Sequence, residues 1–493
     1  MKLEHLREPL LEFGTGQHVD VRFGLAQFFP RDRDTGTAPR QIRVGLVGTA
    51  DTTEGVRQWL EDCADGVQPK DTRLVNLFPA FPGFNEDSCF GARLVLEERW
   101  TAIISKSEIA ELKLVKPTEV VNQAVAAFLD CAKRLLENNA LDTVICAPSR
   151  DLLEVLDSIN DRPLMAESER AIDEGSDDEA AAKSLRLPDF HDVLKAKGMS
   201  LSVPLQMIRP PTFGEKRAKR KKDAVSNSRN TLQDPATRAW NFHTALYYKA
   251  GGIPWRLLRD PAELSSCYVG ISFYRTLDGE RVLTSVAQVF NERGEGVIVR
   301  GAPARITKTD RQPHLSEGDA HALLVRAIAT FRQEHKHTPA RIVIHKTSMH
   351  TSGEIMGFKA AAAKERIEVV DLIAVARSFT RLFREGVYPP LRGTLLHLSA
   401  QRAILYLRGS VEFFEAYPGM YVPRPIELKL VETESTTRKI ATEILALSKL
   451  NWNNTQFDGG EPITVRAARR VGDILKCIPD EGGIIQPGFR FFM

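Results

Sequence analysis

The chain of 493 residues carries a formal net charge of +3 at pH 7, with 43% hydrophobic and 27% charged residues. This composition is typical of a globular protein and excludes a disordered, fibrous or strongly basic chain. The six cysteines are widely spaced and form no CxxC pair, which argues against a disulfide framework or a zinc module and indicates a reducing compartment. Neither an apolar signal core nor a stretch of about 18 apolar residues occurs, so we expect a cytoplasmic protein.

The first part of the chain alternates between strands and helices. We predict, in chain order, strand 41–50, helix 53–63, strand 102–105, helix 117–138, strand 142–147 and helix 151–159. This alternation indicates an α/β layer with a mostly parallel sheet. Gly45 and Gly48 follow a GxxG spacing rather than GxGxxG, so tight packing of strand and helix is favoured over a dinucleotide site.

Two charged runs follow these elements. The acid-rich segment 167–179 is typical of a solvated loop. The basic run KRAKRKK at 216–222 leaves three interpretations open: a surface loop, a contact to a phosphate backbone, or a nuclear-localisation signal.

The stretch 240–274 contains two residues on which the functional hypothesis depends. Residues 240–248 are predicted to form a helix with its apolar residues on one face, and the following GGIP sequence ends it. Residues 267–274 are suited to a buried strand. Lys249 lies at the end of the helix, and Ser272 lies within the strand.

From residue 268 onward the pattern changes to consecutive strands. We predict strands 268–274, 281–290 and 296–300 as an antiparallel meander with turns at Asp278-Gly279 and Arg293-Gly294, then helix 316–335, strands 341–345 and 367–372, and helices 438–450 and 465–476. Three antiparallel strands, a helix and further strands are the order of the ribonuclease-H-like fold. The final residues GFRFFM are apolar and aromatic, so we expect them to be docked on the protein.

The segments HDVLKAKG, VPLQ and YYKAGG together resemble the 5′-phosphate pocket of the MID domain in the Argonaute family. By this resemblance, His191 stands where an aromatic side chain stacks on the first guide base. Lys195 and Lys249 match the phosphate-binding lysines, and Gln206 matches the pocket glutamine. A terminal phosphate carries about two negative charges and is bound by convergent cationic and amide donors. The resemblance therefore predicts a site for the 5′ phosphate of a guide strand.

The segments YVGISFY, RIVIHKTS and SKLNWNNTQFDGGEPITVRAARRVGDIL occur in the order of the family's PIWI domain, which resembles ribonuclease H. Active PIWI domains use carboxylates to hold two Mg²⁺ ions, which stabilise the attacking and the leaving oxygen of the cleaved strand. In this chain the matching positions are Ser272, Thr347 and Arg469. Hydroxyl groups are poor ligands for Mg²⁺ and a guanidinium repels it, so we expect no catalytic residues and no strand cleavage.

The glutamate of that site cannot be placed from the sequence, and Glu317 is one candidate. Asp278, Glu354 and Asp458 offer an alternative metal site, which would make the protein an active guided endonuclease. Loop carboxylates of this kind are usually solvated, so the inactive interpretation is preferred. A third interpretation is an α/β scaffold that assembles partners without nucleic acid.

The resemblance extends over nearly the whole chain. It implies a Rossmann-like MID domain at 1–260 and a ribonuclease-H-like PIWI domain at 261–493. The EPLLEFG and NWNNTQFDGGEPIT segments resemble the short prokaryotic Argonautes, in which PIWI is inactive and an effector with an APAZ region acts in the same complex. This implies a 5′-phosphorylated guide RNA and a single-stranded target DNA from an invader. It also implies a Mg²⁺ beside the guide phosphate, held by Gln206 and the C-terminal carboxylate of Met493.

The same resemblance implies a heterodimer with an APAZ effector. A sirtuin-like NADase is favoured over a TIR NADase or a nuclease as that effector. Depletion of NAD would then cause abortive infection, so the expected role is antiviral defence.

Overall fold

The structure, a computed structural model, describes residues 1–160, 188–214, 233–258, 262–290, 296–306, 310–385, 389–419, 422–455, 457, 459–479 and 483–493. The acid-rich segment 167–179, the basic run 216–222, the Arg293-Gly294 turn and Asp458 lie outside the described residues. None of the helices in the described ranges combines the length and the apolar character needed to cross a bilayer.

The described residues form strands and helices in both halves of the chain. The strands are β1 (Lys2–His5), β2 (Leu11–Glu12), β3 (Gln17–His18), β4 (Gln41–Gly48), β5 (Arg93–Val95), β6 (Thr101–Ile103), β7 (Thr143–Ala147), β8 (Leu205–Met207), β9 (Arg256–Leu257), β10 (Ser266–Arg275), β11 (Val282–Phe290), β12 (Gly296–Pro303), β13 (Arg305–Ile306), β14 (Pro313–His314), β15 (Arg341–Lys346), β16 (Val369–Arg377), β17 (Thr394–His397), β18 (Arg402–Leu405) and β19 (Ile426–Glu432). The helices are α1 (Val21–Phe28), α2 (Ala50–Ala64), α3 (Lys106–Glu111), α4 (Pro117–Asn138), α5 (Arg150–Asn160), α6 (Phe190–Gly198), α7 (Pro210–Phe213), α8 (Pro235–Lys249), α9 (Glu317–His335), α10 (Ser352–Lys364), α11 (Thr437–Leu447) and α12 (Ile463–Leu475).

The first layer is a parallel sheet in the order β5-β4-β7-β8, with β6 also paired to β4. The strands and helices predicted for this layer are confirmed, with ends that differ by a few residues. A Cβ on Gly48 would lie 2.6 Å from the carbonyl oxygen of Ala147, and one on Gly45 would lie 2.8 Å from Leu141 Cδ1. At Gly45 the end of the leucine side chain would have to move, whereas a Cβ on Gly48 would also lie 2.5 Å from Thr52 Oγ1 of α2, so the predicted tight packing of strand and helix is confirmed at Gly48.

The second layer is a nine-stranded sheet in the order β1-β17-β18-β19-β16-β15-β10-β11-β12. Strands β10, β11 and β12 are antiparallel, whereas β10, β15 and β16 run parallel to one another. This confirms the predicted order of three antiparallel strands, a helix and further strands. The strand predicted at 367–372 is instead Val369–Arg377, because the buried run continues through Val375.

The first residues of the chain join the second layer, which the sequence did not indicate. Strand β1 pairs with β17 at the edge of the large sheet. Glu8 then lies 3.1 Å from both Arg392 Nε and Lys449 Nζ, and burial lowers the pKa of Lys449 to about 8. This cluster joins the EPLLEFG segment to the start of the SKLNWNN segment. The domain boundary near residue 260 stays a prediction.

The helix predicted at 240–248 is confirmed within α8, which is buried on nearly all sides and not only on the face of Phe242, Leu246 and Tyr247. Its residues 239, 240 and 242–249 are all buried. Trp240 packs edge-to-face on Phe81 of the first half, with ring centroids 5.2 Å apart. Tyr248 stacks on Trp452 of the second half at 5.1 Å. The helix therefore contacts both halves, and each covers a different side of it.

Candidate functional site

Helix α6 places Lys195 where the tail of the chain meets the parallel sheet. Lys195 Nζ donates hydrogen bonds to the carbonyl oxygen of Leu205 on β8 and to the main-chain oxygen of Met493. Met493 is buried, as are the three phenylalanines of the GFRFFM segment. The predicted docking of the tail is confirmed, and its last residue contacts a residue predicted for the phosphate pocket.

Gln206 and Lys249 complete the same cluster. Lys249 is the last residue of α8, where a positive charge is favoured by the helix dipole. Gly251 follows at φ +95°, a conformation that suits glycine and ends the helix. Lys249 Nζ donates to Gln206 Oε1 at 2.6 Å. Gln206 directly follows Leu205, which accepts a hydrogen bond from Lys195. The residues predicted to bind the phosphate and the metal therefore lie together: Lys195, Gln206, Lys249 and Met493.

This pocket concentrates positive charge in a buried place. The exposed fractions of Lys195 and Lys249 are 3% and 1%. A buried ammonium group costs several kcal/mol unless hydrogen bonds and opposite charge compensate. Oxygen atoms of Leu205, Gln206 and Met493 accept hydrogen bonds from the two lysines. Anions with several oxygen acceptors, such as phosphate, are bound by ammonium groups that converge on them.

His191 lies one helical turn before Lys195, and its ring already has partners. Its Nδ1 accepts a hydrogen bond from Arg470 Nη2 at 2.7 Å and lies 3.2 Å from Asp192 Oδ1. Arg470 Nη2 also lies 3.1 Å from Asp192. The side-chain atoms of Asp189, His191 and Asp192 that could coordinate a metal ion lie within 4.8 Å of one another. The guanidinium of Arg470, however, already contacts His191 and Asp192. Stacking of His191 on a base stays a prediction.

Arg470 is a residue that the sequence reasoning missed. It belongs to α12 in the second half of the chain, 279 positions from His191. Its only signal in the sequence is that it follows Arg469 in the ARRVGDIL segment. The structure therefore links α12 in the second half of the chain directly to α6, the helix that carries Lys195.

The three positions predicted to have lost metal ligands also converge. Ser272 is buried on β10 and lies opposite Ser285 on β11. Ser285 Oγ donates at 2.7 Å to the carbonyl group of the residue before Arg469. Thr347 follows β15, and its N–H donates at 3.1 Å to the carbonyl group of the residue before Ser272. Ser272, Thr347 and Arg469 thus lie at one edge of the large sheet.

The charges at this edge are unsuited to a divalent cation. Arg469 Nη1 lies 3.3 Å from Glu461 Oε1, and Arg377 Nε lies 3.8 Å from the same oxygen. Two guanidinium groups therefore surround the nearby carboxylate. Ser272 and Thr347 offer only neutral hydroxyl oxygens, whereas Mg²⁺ prefers anionic oxygen ligands.

Helix α12 packs directly against β10 at Gly270. A Cβ on Gly270 would overlap the carbonyl group of Thr464 in the first turn of the helix. On the neighbouring strand β15, His345 Nδ1 lies 2.9 Å from Thr464 Oγ1. The same helix carries the adjacent residues Arg469, which contacts Glu461 near the sheet edge, and Arg470, which contacts His191 and Asp192 on α6.

The other carboxylates named from the sequence have local structural partners. Glu354 is buried, lies 2.7 Å from Lys346 Nζ and accepts the N–H of Leu315 at 2.8 Å. Burial alone would raise the pKa of Glu354, but the charge of Lys346 and the hydrogen bonds that the carboxylate accepts together outweigh this effect, and the pKa is lowered. Asp278 accepts the Glu280 N–H at 3.0 Å in an exposed turn, and Glu317 is exposed in the first turn of α9.

Comparisons with known proteins give structural similarity only. No family model matches the sequence, and no curated protein matches it either. The structure of Clostridium butyricum Argonaute bound to a guide DNA and a 19-mer target DNA is 16% identical with a TM-score of 0.65, over 97% of this chain and 53% of that one. Drosophila Piwi is 12% identical with a TM-score of 0.58, over 99% and 56%. Aa-Ago with externally-bound siRNA is 16% identical with a TM-score of 0.57, over 99% and 54%.

These structures show that the fold of the chain is Argonaute-like. The chain spans about half the length of each of the three proteins. The predicted fold class is confirmed: a Rossmann-like layer precedes a ribonuclease-H-like layer in an α/β chain.

Proposed function

We propose that this protein binds the 5′-phosphorylated end of a guide RNA and uses the guide to recognise complementary single-stranded DNA. The observation that carries the proposal is the meeting of Lys195, Gln206 and Lys249 in one buried pocket. A terminal phosphate carries about two negative charges and fits two convergent ammonium groups. Sequence would be read by base pairing, while the protein contacts the backbone and the shape of the duplex.

The neighbouring structures support the same class of ligand. The Clostridium butyricum protein is bound to a guide DNA and a target DNA, and Aa-Ago carries an externally-bound siRNA. The similarity is one of fold, so the contacts of this chain with nucleic acid rest on its own residues.

A Mg²⁺ ion is part of the proposal. The Met493 carboxylate is an anionic oxygen ligand of the kind that Mg²⁺ prefers, and Gln206 Oε1 is a neutral amide oxygen that would complete the coordination; both already accept hydrogen bonds from the lysines. The ion would neutralise part of the charge of the guide phosphate. Lys195 and Lys249 would then donate to the phosphate oxygens, with His191 beside the first base.

The test of this pocket compares guides with and without the 5′ phosphate. We expect the wild type to prefer the phosphorylated guide by about 100-fold, since two charge-assisted contacts are worth roughly 3 kcal/mol together. Lys195→Met with Lys249→Met should remove that preference while keeping the side-chain volume. Lys197→Met is the matched control, because Lys197 is exposed on the same helix and contacts Asn122. Equal affinity for both guides in the wild type would refute the pocket.

The second part of the proposal is that the protein does not cut the target. The hydroxyl groups of Ser272 and Thr347 and the guanidinium of Arg469 support it. Guide-loaded protein incubated with matched DNA and Mg²⁺ or Mn²⁺ should give no cleavage product. A product that disappears with Glu354→Gln or Asp278→Asn would establish the endonuclease alternative instead.

The third part is signalling to a partner. The EPLLEFG and NWNNTQFDGGEPIT segments support a heterodimer with an APAZ effector, with a sirtuin-like NADase favoured over a TIR NADase or a nuclease. The proposed role is defence by NAD depletion and abortive infection in the cytoplasm. Co-expression with the neighbouring reading frame should yield a complex that consumes NAD only when both guide and target are added. A complex with the same NAD consumption in the absence of target would contradict guided activation.

A further inference from the structure

Two phenylalanines stand out from the rest of the described surface. Phe379 is 75% exposed and Phe383 is 80% exposed. Among the described residues, no other phenylalanine, tyrosine or tryptophan falls in the exposed class. Aromatic side chains of this size are normally buried, so a pair of them in solvent indicates a binding surface.

The backbone that carries the two rings is anchored. The Ser378 N–H donates to the Pro425 carbonyl oxygen at 2.9 Å, and the Leu382 N–H donates to Tyr406 Oη at 2.8 Å. Tyr406 itself is buried. The anchors alternate with the exposed rings along the chain. The protein therefore presents the rings from a fixed segment.

The same segment is basic. Its sequence is RSFTRLFR, from Arg377 to Arg384, and contains no acidic residue. Arg381 lies between the two rings and is exposed. Arginines interleaved with exposed aromatic residues are typical of surfaces that bind single-stranded nucleic acid, since bases stack on the rings and phosphates contact the guanidinium groups.

The segment also begins at the sheet edge described above. Strands β10, β15 and β16 are parallel, so their carboxyl ends lie at the same edge. Ser272 lies near the end of β10, Thr347 directly follows β15, and the aromatic segment directly follows β16. Arg377, the last residue of β16, and Arg469 both lie near Glu461.

We propose that Phe379 and Phe383 stack on unpaired bases of a nucleic-acid strand at this edge, with Arg381 contacting its phosphates. The inference rests on the proposed guide function and deepens it by naming a second contact, far in sequence from the lysine pocket. The ligand must be single-stranded, because the faces of paired bases inside a duplex are covered by their neighbours.

The test uses guide-loaded protein and a complementary DNA with an unpaired extension that carries 2-aminopurine, whose fluorescence falls on stacking. Phe379→Ala with Phe383→Ala should lower the affinity for the extended strand by about tenfold or more and restore the fluorescence. Phe379→Trp with Phe383→Trp should keep both the affinity and the quenching. Leu114→Ala is the control, since Leu114 is an 89% exposed apolar residue of the first half.

The outcomes separate this inference from the function on which it rests. Failure of the wild type to prefer a phosphorylated guide would overturn the proposed function. If the wild type binds guide and target and the alanine variant shows unchanged affinity and quenching, stacking by these rings is refuted alone. An equal loss of affinity for a blunt target without the extension would also refute contact with unpaired bases.

Discussion

The lysine pocket and the sheet edge that carries Ser272 and Thr347 differ in charge and in the elements that build them. The pocket gathers residues from α6, β8, α8 and the last residue of the chain, whereas the edge gathers residues at the ends of β10 and β15 and from α12. In the pocket, two buried ammonium groups face oxygen acceptors. At the edge, neutral hydroxyls lie beside arginines that surround Glu461. The pocket is therefore suited to an anion, while the edge is unsuited to the cations that strand cleavage requires. In the function proposed above, binding a strand and cutting it would depend on separate groups.

Helix α12 connects the two sites, so unseating it should affect both. Gly270→Ala would push a methyl group into the Thr464 carbonyl, and we expect a loss of about 3 kcal/mol in the free energy of unfolding. Chemical denaturation measures this change. Gly318→Ala is the control, because a Cβ at Gly318 in α9 meets open space and alanine favours a helix. Equal stability of the two variants would show that the helix is not seated through Gly270.

Acid should weaken both halves through buried histidines. Burial lowers the pKa of His243 in the first half to about 4 and that of His345 beneath α12 to about 3. In the unfolded chain each has a pKa near 6.5, so as the pH falls below that value the unfolded state binds protons first and stability is lost. Between pH 6.5 and pH 5 we expect roughly 2 kcal/mol of loss for each histidine.

The measurement is the unfolding free energy at several pH values in the wild type and two single variants. His243→Asn and His345→Asn should each reduce the pH slope in this window, whatever they do to stability at pH 7. Slopes identical to that of the wild type would contradict the assignment of the acid sensitivity to these two side chains.

The smallest effect should separate the two adjacent arginines. Arg470 contacts His191 and Asp192, whereas Arg469 contacts Glu461. Arg470→Ala should weaken binding of the phosphorylated guide by about tenfold, because it removes charge-assisted hydrogen bonds that hold the helix bearing Lys195. Arg469→Ala should leave guide affinity unchanged in the same titration. Equal effects of the two changes would show that α12 affects guide affinity through its general packing and not through the specific contacts of Arg470.

The elements that the sequence predicted well have strong local signals. Helix α4 was placed to the residue because proline opens it and its apolar residues recur with a helical period. The meander was placed because its strands are apolar and a turn at Asp278-Gly279 joins the first two. Strand β1 was missed because four mostly exposed residues acquire their structure only by pairing with β17.

The lysine pocket was predicted only in part. Lys195, Gln206 and Lys249 were named from the resemblance of short motifs to the Argonaute MID domain, and the structure brings them together. Arg470 could not be found this way, because an arginine on a helix has no distinguishing local pattern. The same holds for Phe379 and Phe383, since the sequence does not say which apolar residues lack a covering partner.

The sequence by itself determined which chemical groups the chain carries: two lysines and a glutamine, which the resemblance assigns to an anion, and the hydroxyls and arginine that it aligns with metal-ligand positions. Only the tertiary structure decided that these groups meet, that α8 is covered from both sides, and that one helix serves two sites. The physical reason is that local periodicity depends on neighbouring residues, whereas convergence depends on the packing of two sheets whose contacting residues lie hundreds of positions apart.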